Sequence, residues 1–249
     1  MTPKTPKTAK ISVKIWEPLI EKLDTKMEAA CLRRDAYLTK LLKLELVRLE
    51  KEVSIPNSDA AFNFVSERLR RLHPKLVSLA LPRDLTQQLD ETCRRKQIVR
   101  DAFFNRLFLL LAASPRTIDT LLFRGERNWR HVVWNENKHN GLFFQRRFDP
   151  LEPATDPFWA IRDGMEIYAR DDDLEDYVEP TSGRTVRVTR DTAGAVKPVD
   201  SLYTVVFDQK VQDHDLRGLN CYMPDWRIPG QAAEHEHQAK LDELLESLS

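Results

Sequence analysis

One stretch of this chain occurs twice, and the duplication limits the fold more than any other feature. KISVKIWEPLIEKLDTKMEAACLRRDAYLTKLLKLEL starts at Lys10, and LVSLALPRDLTQQLDETCRRKQIVRDAFFNRLFLLLA starts at Leu76. A shift of 66 residues aligns them over 37 positions without a gap. Nine positions are identical: Ser12/Ser78, Leu19/Leu85, Leu23/Leu89, Asp24/Asp90, Arg34/Arg100, Asp35/Asp101, Ala36/Ala102, Leu41/Leu107 and Leu44/Leu110. Two copies are too few for a solenoid. A unit that cannot bury its own apolar face, present twice, predicts a pseudo-symmetric pair.

Each copy opens with alternation. Ile11, Val13 and Ile15 lie on one side of Lys10–Ile15, and Lys10, Ser12 and Lys14 on the other. Val77, Leu79 and Leu81 repeat the pattern, with Ser78 and Ala80 between them. A period of two predicts a strand with one apolar face. A lone strand leaves backbone groups unpaired, so each needs a partner. Two helices follow in each copy, Glu17–Ala30 and Arg34–Glu50, then Arg83–Lys96 and Arg100–Ala113. The stripes Leu19, Ile20, Leu23, Met27 and Leu85, Leu89, Cys93 mark the first helices. The last of the four is apolar nearly all round and is expected to be buried. Between the copies, Ile55-Pro56-Asn57-Ser58 breaks the chain, with Asn57 or Ser58 placed to cap a linker helix over Asp59–Leu72.

The order strand, helix, helix, with the box RDAY/RDAF opening the second helix, resembles the ribbon-helix-helix DNA-binding family. The resemblance covers about residues 10–113. It implies a mainly α N-terminal domain in which two strands form an antiparallel ribbon over four helices. It also implies that the ribbon enters the DNA major groove. Most members take the two units from two chains. A minority, including a conjugation accessory protein of plasmids, carry both in one, as here. The resemblance makes Lys10, Ser12, Lys14, Ser78 and Ala80 the base-reading residues, with Leu76 at the strand edge. Lys4 and Lys7 of the arm are placed to reach phosphates, though they read as a solvated tail more readily, and the resemblance makes Arg33, Arg34 and Arg100, at the second-helix starts where members clamp a phosphate, further phosphate contacts. The usual small hydroxyl cap is absent there. Arg34 and Arg100 equally fit ion pairs to Asp35 or Asp101, or to a first-helix acid. Because the two strands differ, the half-sites they read are expected to be asymmetric.

Charge divides the chain. Residues 1–115 hold 22 Lys+Arg and 14 Asp+Glu, a net +8, and the remainder holds 17 and 25, a net −8. A basic half and an acidic half predict a nucleic-acid-binding part beside a part with another task. The expected division is a basic arm (1–9), repeat one (10–53), a helical linker (54–75), repeat two (76–114) and an acidic α+β domain of unknown role (115–249). In that last part a helix is expected at Pro115–Phe123. Strands are expected at Arg130–Trp134, Leu142–Phe148, Met165–Ala169, Thr185–Thr189 and Leu202–Phe207, and a terminal helix at Gln231–Leu248.

Other chemistry is thinly supported. Cys31, Cys93 and Cys221 are scattered and odd in number, which fits a reducing cytoplasm. The N-terminus is not read as a secretory signal, and no run of 18 apolar residues exists. His235-Glu236-His237 lacks the spacing of a zinc helix. The run Asp171–Asp176 reads as a solvated loop more readily than a cation site. No catalytic residue, metal site or cofactor is assigned, and the chain is not read as an enzyme. The leading expectation is a sequence-specific binder of double-stranded DNA, a repressor, autoregulator or accessory factor at the nucleoid. The alternative is an antitoxin-like regulator whose acidic part binds another protein or a second copy of the chain. A DNA-targeted nuclease is a third reading.

Overall fold

The computed structural model describes residues 8–122, 156–159, 161–162, 165, 174–178, 185–190, 196–198, 201–211 and 213–230. Strand β1 (Thr8–Ile15) leads to α1 (Glu17–Ala29), α2 (Arg34–Glu52) and α3 (Asp59–Arg71). Strand β2 (Lys75–Pro82) leads to α4 (Arg83–Arg95), α5 (Arg100–Ala112) and α6 (Pro115–Leu122). Helix boundaries fall within a residue or two of those the apolar periodicity predicts. Among the described residues the chain is mostly helical, with a two-stranded antiparallel sheet formed by β1 and β2.

The register of that sheet carries the symmetry of the repeat. Ser12 faces Ser78, its own equivalent, and Lys10 faces Ala80 while Lys14 faces Leu76. A pseudo-twofold axis therefore passes between the two serines. Ile11, Val13, Ile15, Val77, Leu79 and Leu81 all point inward and are buried. Equivalent helix residues are buried in pairs, Leu19 with Leu85, Leu23 with Leu89, Met27 with Cys93, and Leu41 with Leu107. Full burial of such a side chain stabilises by about 1.5–3 kcal/mol, so the apolar pattern drives the two units onto one another.

The two second helices then part company. On α2, Ala36, Lys40 and Lys43 are exposed; their equivalents on α5, Ala102, Arg106 and Leu109, are buried. The difference lies in residues 201–223, which cover α5 from outside. A 3-10 turn at Leu216–Leu219 lies against α3 and α5. Gly218 makes the approach to α3 possible, because a Cβ there would sit 2.4 Å from the backbone nitrogen of Leu69. One apolar core joins both sides of Ser114: it holds Phe158, Ile161, Leu202, Tyr203, Phe207 and Leu219 together with the repeat residues. The expected boundary at residue 114 is thus not a boundary between two cores.

Elsewhere the acidic half differs from expectation in two respects. Leu202–Phe207 is a series of turns, not a strand. Ser201 causes this: its Oγ accepts from the backbone N–H groups of Tyr203 and Thr204, while its own N–H donates to Thr204 Oγ1. Hydroxyls that bond nearby backbone in this way compete with strand pairing. The predicted strand at Thr185 is present as β4 (Thr185–Arg190), between β3 (Leu174–Val178) and β5 (Val196–Pro198). Strands β6 (Lys210–Val211) and β7 (His214–Asp215) form a short hairpin. Met165, expected to open a strand, is helical. The strands expected at Arg130–Trp134 and Leu142–Phe148, the terminal helix and residues 1–7 lie outside the described residues, while Thr8 and Ala9, expected in a disordered arm, open β1 because they pair with Pro82 and Leu81.

Candidate nucleic-acid interface

The solvent face of the ribbon is a double row. Strand β1 presents Thr8, Lys10, Ser12 and Lys14; β2 presents Leu76, Ser78, Ala80 and Pro82. Four of the five predicted base-reading residues, Lys10, Ser12, Lys14 and Ser78, are exposed, and Ala80 is half-buried. Leu76 is 66% exposed, the most open of the large apolar side chains described. Neither Lys10 nor Lys14 forms an ion pair among the described residues. The row thus carries two cations without an ion pair among the described residues.

A two-stranded ribbon has no interior strand, so every second residue turns its N–H and C=O outward to an edge. Here the second helices satisfy those groups, and they do so crosswise. From α2, Arg34 binds Asp24 through Nη1 at 2.9 Å and reaches the Ser78 carbonyl through Nη2 at 3.4 Å. Asp35 Oδ2 accepts from the Ala80 N–H at 3.0 Å. From α5, Arg100 binds Asp90 at 3.0 Å and the Ser12 carbonyl at 3.1 Å. Asp101, the equivalent of Asp35, feels the Lys14 N–H, which pulls its carboxyl pKa down. Each repeat therefore braces the strand of the other. The pairing also fixes which row faces out: the residues whose backbone is braced, 12, 14, 78 and 80, are those whose side chains face solvent.

Asymmetry enters one turn further along α5. Buried Asn105 accepts from the Trp16 N–H at 2.8 Å and donates to the Lys14 carbonyl at 2.8 Å. Its equivalent, Thr39, bonds only its own helix, to the Asp35 carbonyl. Strand β1 is consequently tied down over a longer span than β2. Burial raises the Asp101 carboxyl above its ordinary value, against the pull of the Lys14 N–H and of the Arg100 and Lys14 charges.

The predicted phosphate contacts divide three ways. Lys4 and Lys7 lie outside the described residues. Arg33 is exposed at the N-cap of α2, and neither it nor Val99, the N-cap of α5, makes a side-chain capping bond. Arg34 and Arg100 sit in the brace, with side chains 26% and 34% exposed. Of the alternatives open to these two arginines, both form the ion pair to the first-helix acid, and Arg34 also lies 3.7 Å from Asp35.

Sequence reasoning listed Asp24 and Asp90 only as identities, without a role. The signal was there: four of the nine identical pairs (Ser12/Ser78, Asp24/Asp90, Arg34/Arg100 and Asp35/Asp101) are the parts of the brace. No protein-family model, no curated protein and no solved structure matches the chain.

Proposed function

We propose that this protein binds double-stranded DNA sequence-specifically by laying the β1–β2 ribbon in the major groove, as a tandem ribbon-helix-helix module. One observation carries the reading: among the described residues nothing covers the outward row of the ribbon, which bears two lysines without ion pairs beside small hydroxyl and apolar groups. The major groove is about 12 Å wide and admits a two-stranded ribbon. Lysine donates to guanine O6 and N7, serine donates or accepts, and alanine or leucine packs on a thymine methyl. Arg33, with Lys4 and Lys7 of the arm, adds phosphate contacts that position the ribbon without reading sequence. The brace is given a positioning role: it holds the row in register so that the side chains meet base edges together. A repressor, autoregulator or accessory factor at the nucleoid fits this mode of binding.

A gel-shift salt titration of the full chain tests the proposal. Lys10→Ala/Lys14→Ala is expected to weaken binding tenfold or more and to flatten the dependence of log K on log salt. Removing each phosphate-neutralising charge lowers that slope by about 0.9. Unchanged affinity and slope in the double variant would remove the ribbon from the interface.

A further inference from the structure

The two strands of the ribbon differ in chemistry, and the register determines how the difference lies. All the charge of the outward row is on β1, at Lys10 and Lys14; β2 contributes Leu76, Ser78, Ala80 and Pro82. The repeat makes Leu76 the equivalent of Lys10, and Ala80 the equivalent of Lys14. A ribbon with true twofold symmetry built from repeat one would carry four lysines, two on each strand. This one carries a cationic strand beside an apolar strand. Turning it by half a turn about the Ser12/Ser78 axis exchanges the two, so the two docking orientations are chemically different.

We infer that the target is a non-palindromic duplex on which the protein sits in a single orientation, β1 over guanines and β2 over thymine methyls. This rests on the DNA-binding reading above. Lys10 and Lys14 are four residues apart, about 13 Å along a strand. They therefore address base pairs on opposite sides of the Ser12/Ser78 centre. Each end of the ribbon sets one lysine against one apolar residue: Lys14 with Leu76, and Lys10 with Ala80. The flanking arginines do not restore symmetry of charge, because Arg34 and Arg100 are both committed to equivalent aspartates. The base-reading polarity is thus written in the outward row, over Arg–Asp ion pairs to the first helices that are themselves twofold.

The protein carries a natural probe of orientation. Cys31 is exposed in the turn before α2, and its repeat equivalent is Gln97. Cys93 and Cys221 are buried, with thiols pushed up to about 12 by desolvation. A thiol-directed iron chelate on the folded chain therefore marks repeat one. The full chain is used to enrich duplexes from a randomised library, and the chelate-bearing protein is then made to cleave the enriched DNA. The expected result is a non-palindromic motif with cleavage on one side of it. The variant Leu76→Lys/Ala80→Lys restores the twofold at two solvent-facing positions. It is expected to enrich a palindrome and to cleave on both sides. A palindromic motif, or two-sided cleavage, from the native chain overturns the inference while leaving DNA binding intact. Failure to enrich any motif overturns the DNA-binding reading and this inference with it.

Discussion

Asp101 shows how one side chain ties helix chemistry to the ribbon. The Lys14 N–H at the ribbon edge and the Arg100 and Lys14 charges pull its carboxyl down, yet burial raises its pKa above the ordinary 3.8. A raised carboxylate binds its proton more tightly in the fold than in the unfolded chain. Its contribution to stability is therefore full at acid pH and declines as pH rises through 3.8 towards the folded value. Asp101→Asn keeps the shape of the side chain but cannot ionise. The variant is expected to be destabilised more at pH 4 than at pH 7, measured by urea unfolding at the two values. An equal or larger loss at pH 7 would mean that the charge attraction of Arg100 and Lys14 outweighs desolvation.

At the scale of elements, the turns joining the paired helices are the clearest mark of common construction. Helix α1 ends with Cys31 at φ 55°, and α4 ends with its equivalent Gln97 at φ 51°. In each, the next residue donates back to the last turn: Leu32 N–H to the Met27 carbonyl, and Ile98 N–H to the Cys93 carbonyl, both at 2.8 Å. This is the Schellman arrangement, which ordinarily places glycine at the left-handed residue. A side chain there costs about 1–2 kcal/mol, offset in part because glycine loses more freedom on folding. Gln97→Gly is expected to raise stability by up to about 1 kcal/mol, read as a higher denaturant midpoint at unchanged slope. Its backbone carbonyl, which accepts from Asn57 Nδ2 at 2.9 Å, is untouched. A lower midpoint would show that the entropy of the unfolded chain dominates at this turn.

At the scale of the whole molecule, two buried polar clusters fasten the chain's second half to the repeats. Arg106 is fully buried on α5, donates to the carbonyls of Leu202, Val205 and Leu219 and to Asn220 Oδ1, and stacks 3.6 Å from the Phe207 ring centre. Burial pulls its pKa down to about 10, so it stays charged at neutral pH. On α2, buried Glu45 accepts from Arg162 at 2.7 Å and from the Tyr203 hydroxyl, while Arg162 also pairs with Glu52 and Asp156. Arg106→Leu takes the donor from three buried carbonyls, while Asn220 Oδ1 keeps the Phe207 N–H, and is expected to cost about 3 kcal/mol. It should also open residues 201–223 locally, seen as labelling of Cys221 under conditions where native protein labels only at Cys31. Unchanged stability and protection would show that apolar packing alone holds this segment. The sequence by itself determined the strands, the six helices of the first half and the outward row Lys10, Ser12, Lys14, Ser78 and Ala80. Those follow from periods of two and 3.6 residues and from the repeat, which are local. Tertiary structure alone decided that Ser12 meets Ser78, that each second helix braces the other repeat's strand, and that Arg106, Glu45 and Asn57 are buried. Asn57, expected as one of two possible caps, leaves that role to Ser58 and instead binds Cys221 and Met223. The side-chain partners of these three lie from 40 to 166 residues away in the chain, and no local pattern distinguishes such a residue from one that faces water.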